Sequence, residues 1–453
     1  MHGKRRGSLI LTVVLAGAGA LSGCAGGAST TDSPDWAAVA PQNASGKVTV
    51  WAWSDDQATV DAIASRFMQR YPKIQVTFKA IPYKDYTNAL SAGLASGKGP
   101  DVFIVEPRSI VRFAPLSEDV TPLLQSVLGK EWQNRLVMSQ VDELKVKDGR
   151  IVGLPNQANG AGTVLLNQGL LDQLGLSWPG DVKSIDELAE FCGQVKAKGK
   201  SCIGVGQDEW VLQDVYQAIA NSIRPGVFTS AVQGKTPWTD PVLVKAFDLF
   251  QALFTRGVVQ EGALGMPMYT DVDYAWQRGE IVAMAVGNWS AMNLLEPNSV
   301  RFQKSAGVKD PKPLRAQLLP FPAIGGNPVH VFATGYGGTA INVASKNKAA
   351  AAAWANWYSL DPEGRQKEAG NDLIGIPALK GVKIEPQGIA YPELGRPSIE
   401  FLEEEFANAT DPRGVEYPEL LTALETAFQQ SASGTGSQQV TEELENASRS
   451  IAR

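Results

Sequence analysis

Lys47-Val48-Thr49-Val50-Trp51-Ala52-Trp53 alternates apolar and polar positions with the two-residue period of a β-strand. Val60, Ile63, Ala64, Phe67, Met68 and Tyr71 then recur at helical spacing, and Pro72 ends that helix. A second alternating strand follows at Ile74, Val76 and Phe78, and a helix is expected from Tyr86 to Ala95. The loop Ser96-Gly97-Lys98-Gly99-Pro100 leads into Asp101-Val102-Phe103-Ile104-Val105, a continuous apolar run suited to a sheet buried on both faces. Strand, helix, strand, helix, strand is the rhythm of an α/β lobe with a largely parallel sheet.

The rhythm continues toward the C-terminus. Thr163–Leu166 and Ile281–Val286 read as buried strands, Gly337–Val343 as another, and helices are expected at Ile185–Lys196, Val242–Phe254, Lys348–Tyr358 and Val440–Ile451. Trp354 and Trp357, three apart on an apolar helical face, read as core. Toward the N-terminus, residues 24–46 are rich in Gly, Ser, Thr, Ala and Pro, the composition of a flexible tether. Ahead of it, Lys4, Arg5 and Arg6 precede a short apolar stretch, Leu9 to Leu21, that closes on Leu21-Ser22-Gly23-Cys24. The stretch is too short to span a bilayer and reads as an export signal, residues 1–23. Its end resembles the lipobox of bacterial lipoproteins, which implies that Cys24 becomes the lipid-modified N-terminus. Two acyl chains suffice for stable attachment, so the only membrane contact expected is through that lipid.

Without the signal, 38 basic residues face 47 acidic ones, a net charge of about −9. An acidic chain without a basic run argues against nucleic acid and anionic lipid as partners. About 430 mature residues suggest two or three lobes. Cys192 lies in a helical pattern and Cys202 opens a strand-like one, so a disulfide between them is reasonable in an exported protein, two free buried thiols being the alternative.

These segments, in this order, resemble the extracellular sugar-binding proteins of bacterial ABC importers, the group that includes maltose-binding protein. The likeness runs from Val48 to Ile451. It rests on Trp53-Ser54-Asp55-Asp56 after the first strand, Gly99-Pro100-Asp101-Val102, and Gly149-Arg150-Ile151-Val152-Gly153-Leu154-Pro155. Gly287-Asn288-Trp289, Gly335-Tyr336-Gly337-Gly338 and Pro412-Arg413…Tyr417-Pro418-Glu419-Leu420 complete it. The resemblance implies an α/β, two-lobed clamshell of the periplasmic-binding-protein type II fold, with mixed, mostly parallel sheets flanked by helices. It implies an N-lobe of 47–157 plus 335–383 and a C-lobe of 158–334 plus 384–453. It further implies a monomer that holds a carbohydrate in the cleft and hands it to ABC permease subunits, with neither cofactor nor metal.

A sugar offers hydroxyls, which each donate and accept, and apolar C–H faces. A desolvated cleft must meet the hydroxyls with carboxylates and amides and the faces with aromatic planes. Ligands of open α/β sheets lie beyond the carboxyl ends of the strands. That rule selects Trp53, Asp55 and Asp56 after the first strand, Glu106 and Arg108 after the third, and Asn288 and Trp289 after Val286. Asp55 and Asp56 could instead cap a helix, and Glu106 and Arg108 could be a surface ion pair. Asp208-Glu209-Trp210 joins acid to aromatic on an expected loop, a helix start with a buried Trp being the alternative. Gln157 and Asn159 could bind hydroxyls or shape a turn; Tyr336 could stack on ligand while the Gly337 backbone comes close. Arg413 aligns with an arginine found in or near the cleft of some relatives, a solvated surface charge being the alternative.

Histidine weighs against catalysis. After signal removal only His330 remains, so there is no HExxH or His cluster for zinc and no G-x-S-x-G to accompany a triad. Two alternatives to a sugar receptor stay open: a lipid-anchored glycoside-processing enzyme built on paired carboxylates, and the same fold with a polyol phosphate as ligand.

Overall fold

The computed structural model describes residues 35–53, 57–335, 337–362, 364, 373, 375–409, 411–415 and 417–451, without the side chains of 58, 59 and 108. The expectations for Cys24, Asp55, Asp56, Tyr336 and the Arg108 side chain therefore lie outside the described residues.

The first strand, β1 (Gly46–Trp53), buries Val48, Val50 and Ala52 on one face. It pairs in parallel with β2 (Ile74–Ile81), Gly46 opposite Ile74 and Trp53 opposite Ile81, and with β3 (Val102–Val105) on its other side. The Gly-Pro-Asp motif explains that register. Asp101 Oδ2 accepts from Thr49 N at 2.8 Å and from Thr49 Oγ1 at 2.9 Å, while Ser345 Oγ donates to Oδ1 at 2.7 Å. The sheet is completed by β11 (Gly338–Ile341), antiparallel to β3, and by β4 (Leu154–Pro155). A core from residues 37–154, 340–360 and Leu379 forms around it, with Phe67 packed edge-on against Trp354 and Trp357.

A second sheet runs β7 (Ser201–Gly204), β8 (Ile281–Val286), β6 (Thr163–Asn167), β9 (Ala316–Pro320) and has its own core. Cys192, on the helix Ile185–Ala197, is bonded to Cys202 on β7, their Cα atoms 5.2 Å apart. Between the two cores lies a three-stranded antiparallel sheet, β10 (Phe332–Gly335), β5 (Gln157–Ala161), β12 (Ile376–Pro377). Each of its strands sits where the chain passes from one core to the other.

Two expectations need correction. Among the described strands, parallel pairing is confined to β2–β1–β3 and β7–β8; the remaining strand pairs are antiparallel, because strands arriving from the crossing segments enter each sheet from the opposite end. The tether also stops short of residue 46: Asp35–Ala38 is a helical turn whose Ala37 is buried in the first core, with Trp36 packed on it. Two apolar residues inside a Gly/Ser-rich stretch were enough to dock it. Among the described residues no helix is long and apolar enough to cross a membrane, and no cluster of His, Cys, Asp and Glu could hold a metal.

Candidate binding cleft

A cavity of about 460 Å³ opens between the two cores, floored by the three-stranded sheet. The second core supplies an aromatic wall. Trp210 stands in the first turn of the helix Glu209–Ile223 rather than on a loop, 6% exposed, with Tyr269 stacked on it at 5.7 Å and Trp289 edge-on at 5.6 Å. Gly287 makes room for Trp289. A Cβ on Gly287 would fall 2.1 Å from Trp289 Cζ3 and 2.3 Å from the Gly160 carbonyl, so only glycine lets the indole lie back over the strand end. Asn288 between them accepts a hydrogen bond from Gly160 N at 2.8 Å, tying this turn to β5.

Arg413 completes the wall. Its guanidinium carbon lies 4.8 Å from the Trp289 ring centre and 5.7 Å from that of Trp210. Asp214 holds it through Nε at 2.9 Å and Nη2 at 2.8 Å. Burial alone works against the charge, but Asp214 beside it raises the guanidinium pKa further.

The first core faces this wall with Trp53, at the end of β1, packed edge-on against Tyr83 at 5.9 Å and Tyr86 at 5.1 Å. Tyr83 donates to Glu106 Oε1 at 3.1 Å. Burial pushes the Glu106 carboxyl up to about 8; Arg413 across the cleft pulls it down and Glu209 adds to the rise. On the floor, Asn159 and Thr334 face the cavity beside Gly335, whose N–H donates to Glu143 Oε2. Among the described residues, three buried polar atoms of the lining have no hydrogen-bond partner: Asn159 Oδ1, Trp210 Nε1 and Trp289 Nε1. Buried polar groups are normally hydrogen-bonded, and an unmet one costs about 1–3 kcal/mol, so these three call for a partner that the described residues do not supply.

Of the residues singled out in the sequence, Trp53, Glu106, Asn159, Trp210, Trp289 and Arg413 line the cavity together. Five others do not. Gln157 is buried in β5 opposite Pro377, its side chain packed over Gly375. Asn288 is spent on Gly160, as above. Asp208 accepts from Met268 N at 2.7 Å and so fixes the turn Met268–Val272 that carries Tyr269; burial raises its pKa. Glu209 acts on Glu106 by charge alone. Gly337, at φ +127°, would place a Cβ 2.3 Å from the Val105 carbonyl, so it serves the close approach of β11 to β3. His330 hydrogen-bonds Glu405 at 3.1 Å with its side chain 72% exposed.

The sequence reading missed Tyr83, Glu143, Gln213, Thr229, Gln233, Tyr269 and Thr334 in the lining, and Asp214 behind Arg413. Tyr83, on the helix Tyr83–Ala95 just after β2, obeys the strand-end rule that found Trp53 and was within reach of it. Tyr269 carried no signal, since it reaches the site only through the Asp208 contact.

Comparison with known proteins bears on this geometry. Residues 32–364 match the family model described as "Bacterial extracellular solute-binding protein". Two uncharacterized ABC transporter extracellular-binding proteins of Pyrococcus horikoshii are similar. One is 21% identical over 253 residues, 54% of this chain and 54% of that protein, so the chain spans about half of it. The other is 24% identical over 318 residues, 67% and 70% respectively. Among solved structures, a maltose-bound MalE3 of T. maritima superposes with a TM-score of 0.70 at 21% identity, over 88% of this chain and 98% of that one. A chitin oligosaccharide binding protein gives 0.70 at 19%, over 89% and 98%. At these identities the likeness shows the two-lobed α/β fold. With the family model covering most of its length, the chain belongs to the bacterial extracellular solute-binding proteins.

Proposed function

We propose that this protein is the substrate-binding lipoprotein of an ABC importer, anchored through Cys24 to the outer face of the cell membrane. It captures a mono- or oligosaccharide between an N-lobe of 47–157 plus 335–383 and a C-lobe of 158–334 plus 384–453. It then hands the sugar unchanged to its permease. The observation that carries the reading is a cavity in which aromatic planes stand beside buried polar atoms that have no partner among the described residues. Flat rings suit the C–H faces of a pyranose, and the unmet N–H groups and amide oxygen suit its hydroxyls. The names of the solved relatives point the same way, to maltose and chitin oligosaccharides.

A thermal-shift screen over a saccharide panel tests this. A true ligand present at 100 times its Kd adds about 2.7 kcal/mol and raises the melting temperature by several degrees. A panel without a single shift sinks the carbohydrate reading. Chromatography of the same samples separates receptor from enzyme, since new products would favour a glycoside-processing role for the carboxyls.

A further inference from the structure

Asp208 stands at the N-cap position of the helix Glu209–Ile223, yet its side chain makes no capping bond there. An N-cap aspartate ordinarily accepts from the first turn of its own helix. Here the carboxylate is turned to Met268 N instead, at 2.7 Å. Neighbouring residues tie the same two segments together. Gln207 N donates to the Met266 carbonyl at 2.9 Å, and a Cβ on Gly206 would fall 2.9 Å from Met268 Cα. Buried Gln260 holds both backbone groups of Val205, accepting from its N–H at 2.9 Å and donating to its carbonyl at 2.8 Å. Residues 205–208 are thus fixed one after another, and the turn Met268–Val272 is set against the start of the helix that carries Trp210.

What this bracing delivers is the ring of Tyr269. Its plane lies 26° from that of Trp210, while Trp289 meets Trp210 at 68°. Tyr269 and Trp289 are therefore inclined to each other by no less than the difference of those angles, and no single pyranose face can lie on both. All three rings line the cavity; Trp210 is buried behind, whereas Tyr269 stays 39% exposed. A tyrosine backed by an indole and still open to the cavity has the form of a platform rather than of a core residue.

We propose that Tyr269 carries a second sugar unit beside the one on Trp289, so that the ligand is an oligosaccharide of at least two units, and that Asp208 is the positioning residue that holds this platform. The inference rests on the carbohydrate reading and adds to it the least length of the ligand and the residues that set it. Two inclined planes fit two rings joined through a glycosidic oxygen, whose torsions turn one ring out of the plane of the other. A monosaccharide covers one plane and leaves the other wet.

Calorimetric titration with disaccharides and their own monosaccharides (maltose and cellobiose beside glucose, xylobiose beside xylose, chitobiose beside N-acetylglucosamine) provides the test. The wild type should bind its best disaccharide at least about 30-fold more tightly than the matching monosaccharide. Tyr269→Ala should cut that ratio at least about 10-fold by weakening the disaccharide. Asp208→Ala leaves Met268 N without its acceptor and should cut the ratio about 5-fold; Asp208→Asn, whose amide oxygen accepts the same bond, should restore it. In a Tyr269→Ala background Asp208→Ala should change the ratio no further, as befits a residue that acts through that ring. A loss of equal size in both backgrounds overturns the role of Asp208. A monosaccharide bound as tightly as every disaccharide overturns the whole proposal, and so does a Tyr269→Ala protein that keeps the wild-type ratio. The wild-type ratio decides even where a variant does not fold. Absence of binding by any sugar, short or long, would instead remove the carbohydrate reading beneath it.

Discussion

The two walls of the cleft are built by different physics. On the C-terminal side, Trp210, Tyr269 and Trp289 pack against each other, and Arg413 is clamped by Asp214. On the N-terminal side, Trp53 meets Tyr83 and Tyr86 edge-on, and the polar element is Glu106, its carboxyl pushed up to about 8 and held by the Tyr83 hydroxyl. The first wall is set before a ligand arrives, because its rings pack on one another and Asp214 holds Arg413, so these groups lose little freedom on binding. The second faces it across the cavity. A ligand would therefore settle on the C-terminal wall and be covered by the other.

The largest expected effect breaks the clamp. Arg413→Met leaves Asp214 buried without its counter-charge and should cost about 3 kcal/mol of folding stability, read from urea denaturation. Asp214→Leu combined with Arg413→Met should recover most of that loss. Recovery would show that pairing, rather than packing, matters there.

Next comes the contrast between the walls. Trp289→Ala should weaken saccharide binding about 100-fold, as loss of a central aromatic anchor does, and Trp53→Ala only about 10-fold, both by calorimetry. Equal losses would erase the asymmetry. The disulfide sharpens the comparison in stability: Cys192→Ser with Cys202→Ser should lower the unfolding free energy by about 2–3 kcal/mol, seen in chemical denaturation as early melting of the C-terminal core.

The smallest effect is a pH dependence confined to the N-terminal wall. The folded Glu106 carboxyl lies above its ordinary value of 4.5, at about 8. The unfolded chain therefore loses that proton first as pH rises. Its contribution to stability is intact below pH 4.5, declines through the window up to about 8, and is lost above it. Glu106→Gln should remove the decline between pH 4.5 and about 8, read from urea denaturation across that window. A slope unchanged in the variant would locate the titration elsewhere.

Much of this molecule is written in local patterns. Apolar periodicity marked β1, β2, β3 and the helices between them, because alternation and helical spacing are properties of neighbouring residues. The strand-end rule found Trp53, Glu106 and Trp289, since a strand's last residues must emerge at the sheet's carboxyl edge. The same rule overreached with Asn288, whose amide is consumed by a backbone group 128 positions away. It could not see Asp214 either. A carboxylate inside an otherwise buried helix looks like an interruption until the loop at residue 413 comes down beside it.

What sequence alone determined is the α/β alternation and the aromatic and acidic stock at the strand ends. Only the tertiary structure decided which of those groups share one cavity and which are spent holding it open. The reason is physical. Strands and helices follow from contacts a few residues long, whereas the charge state of Arg413 and Glu106 and the posture of Trp289 depend on groups that meet across hundreds of residues.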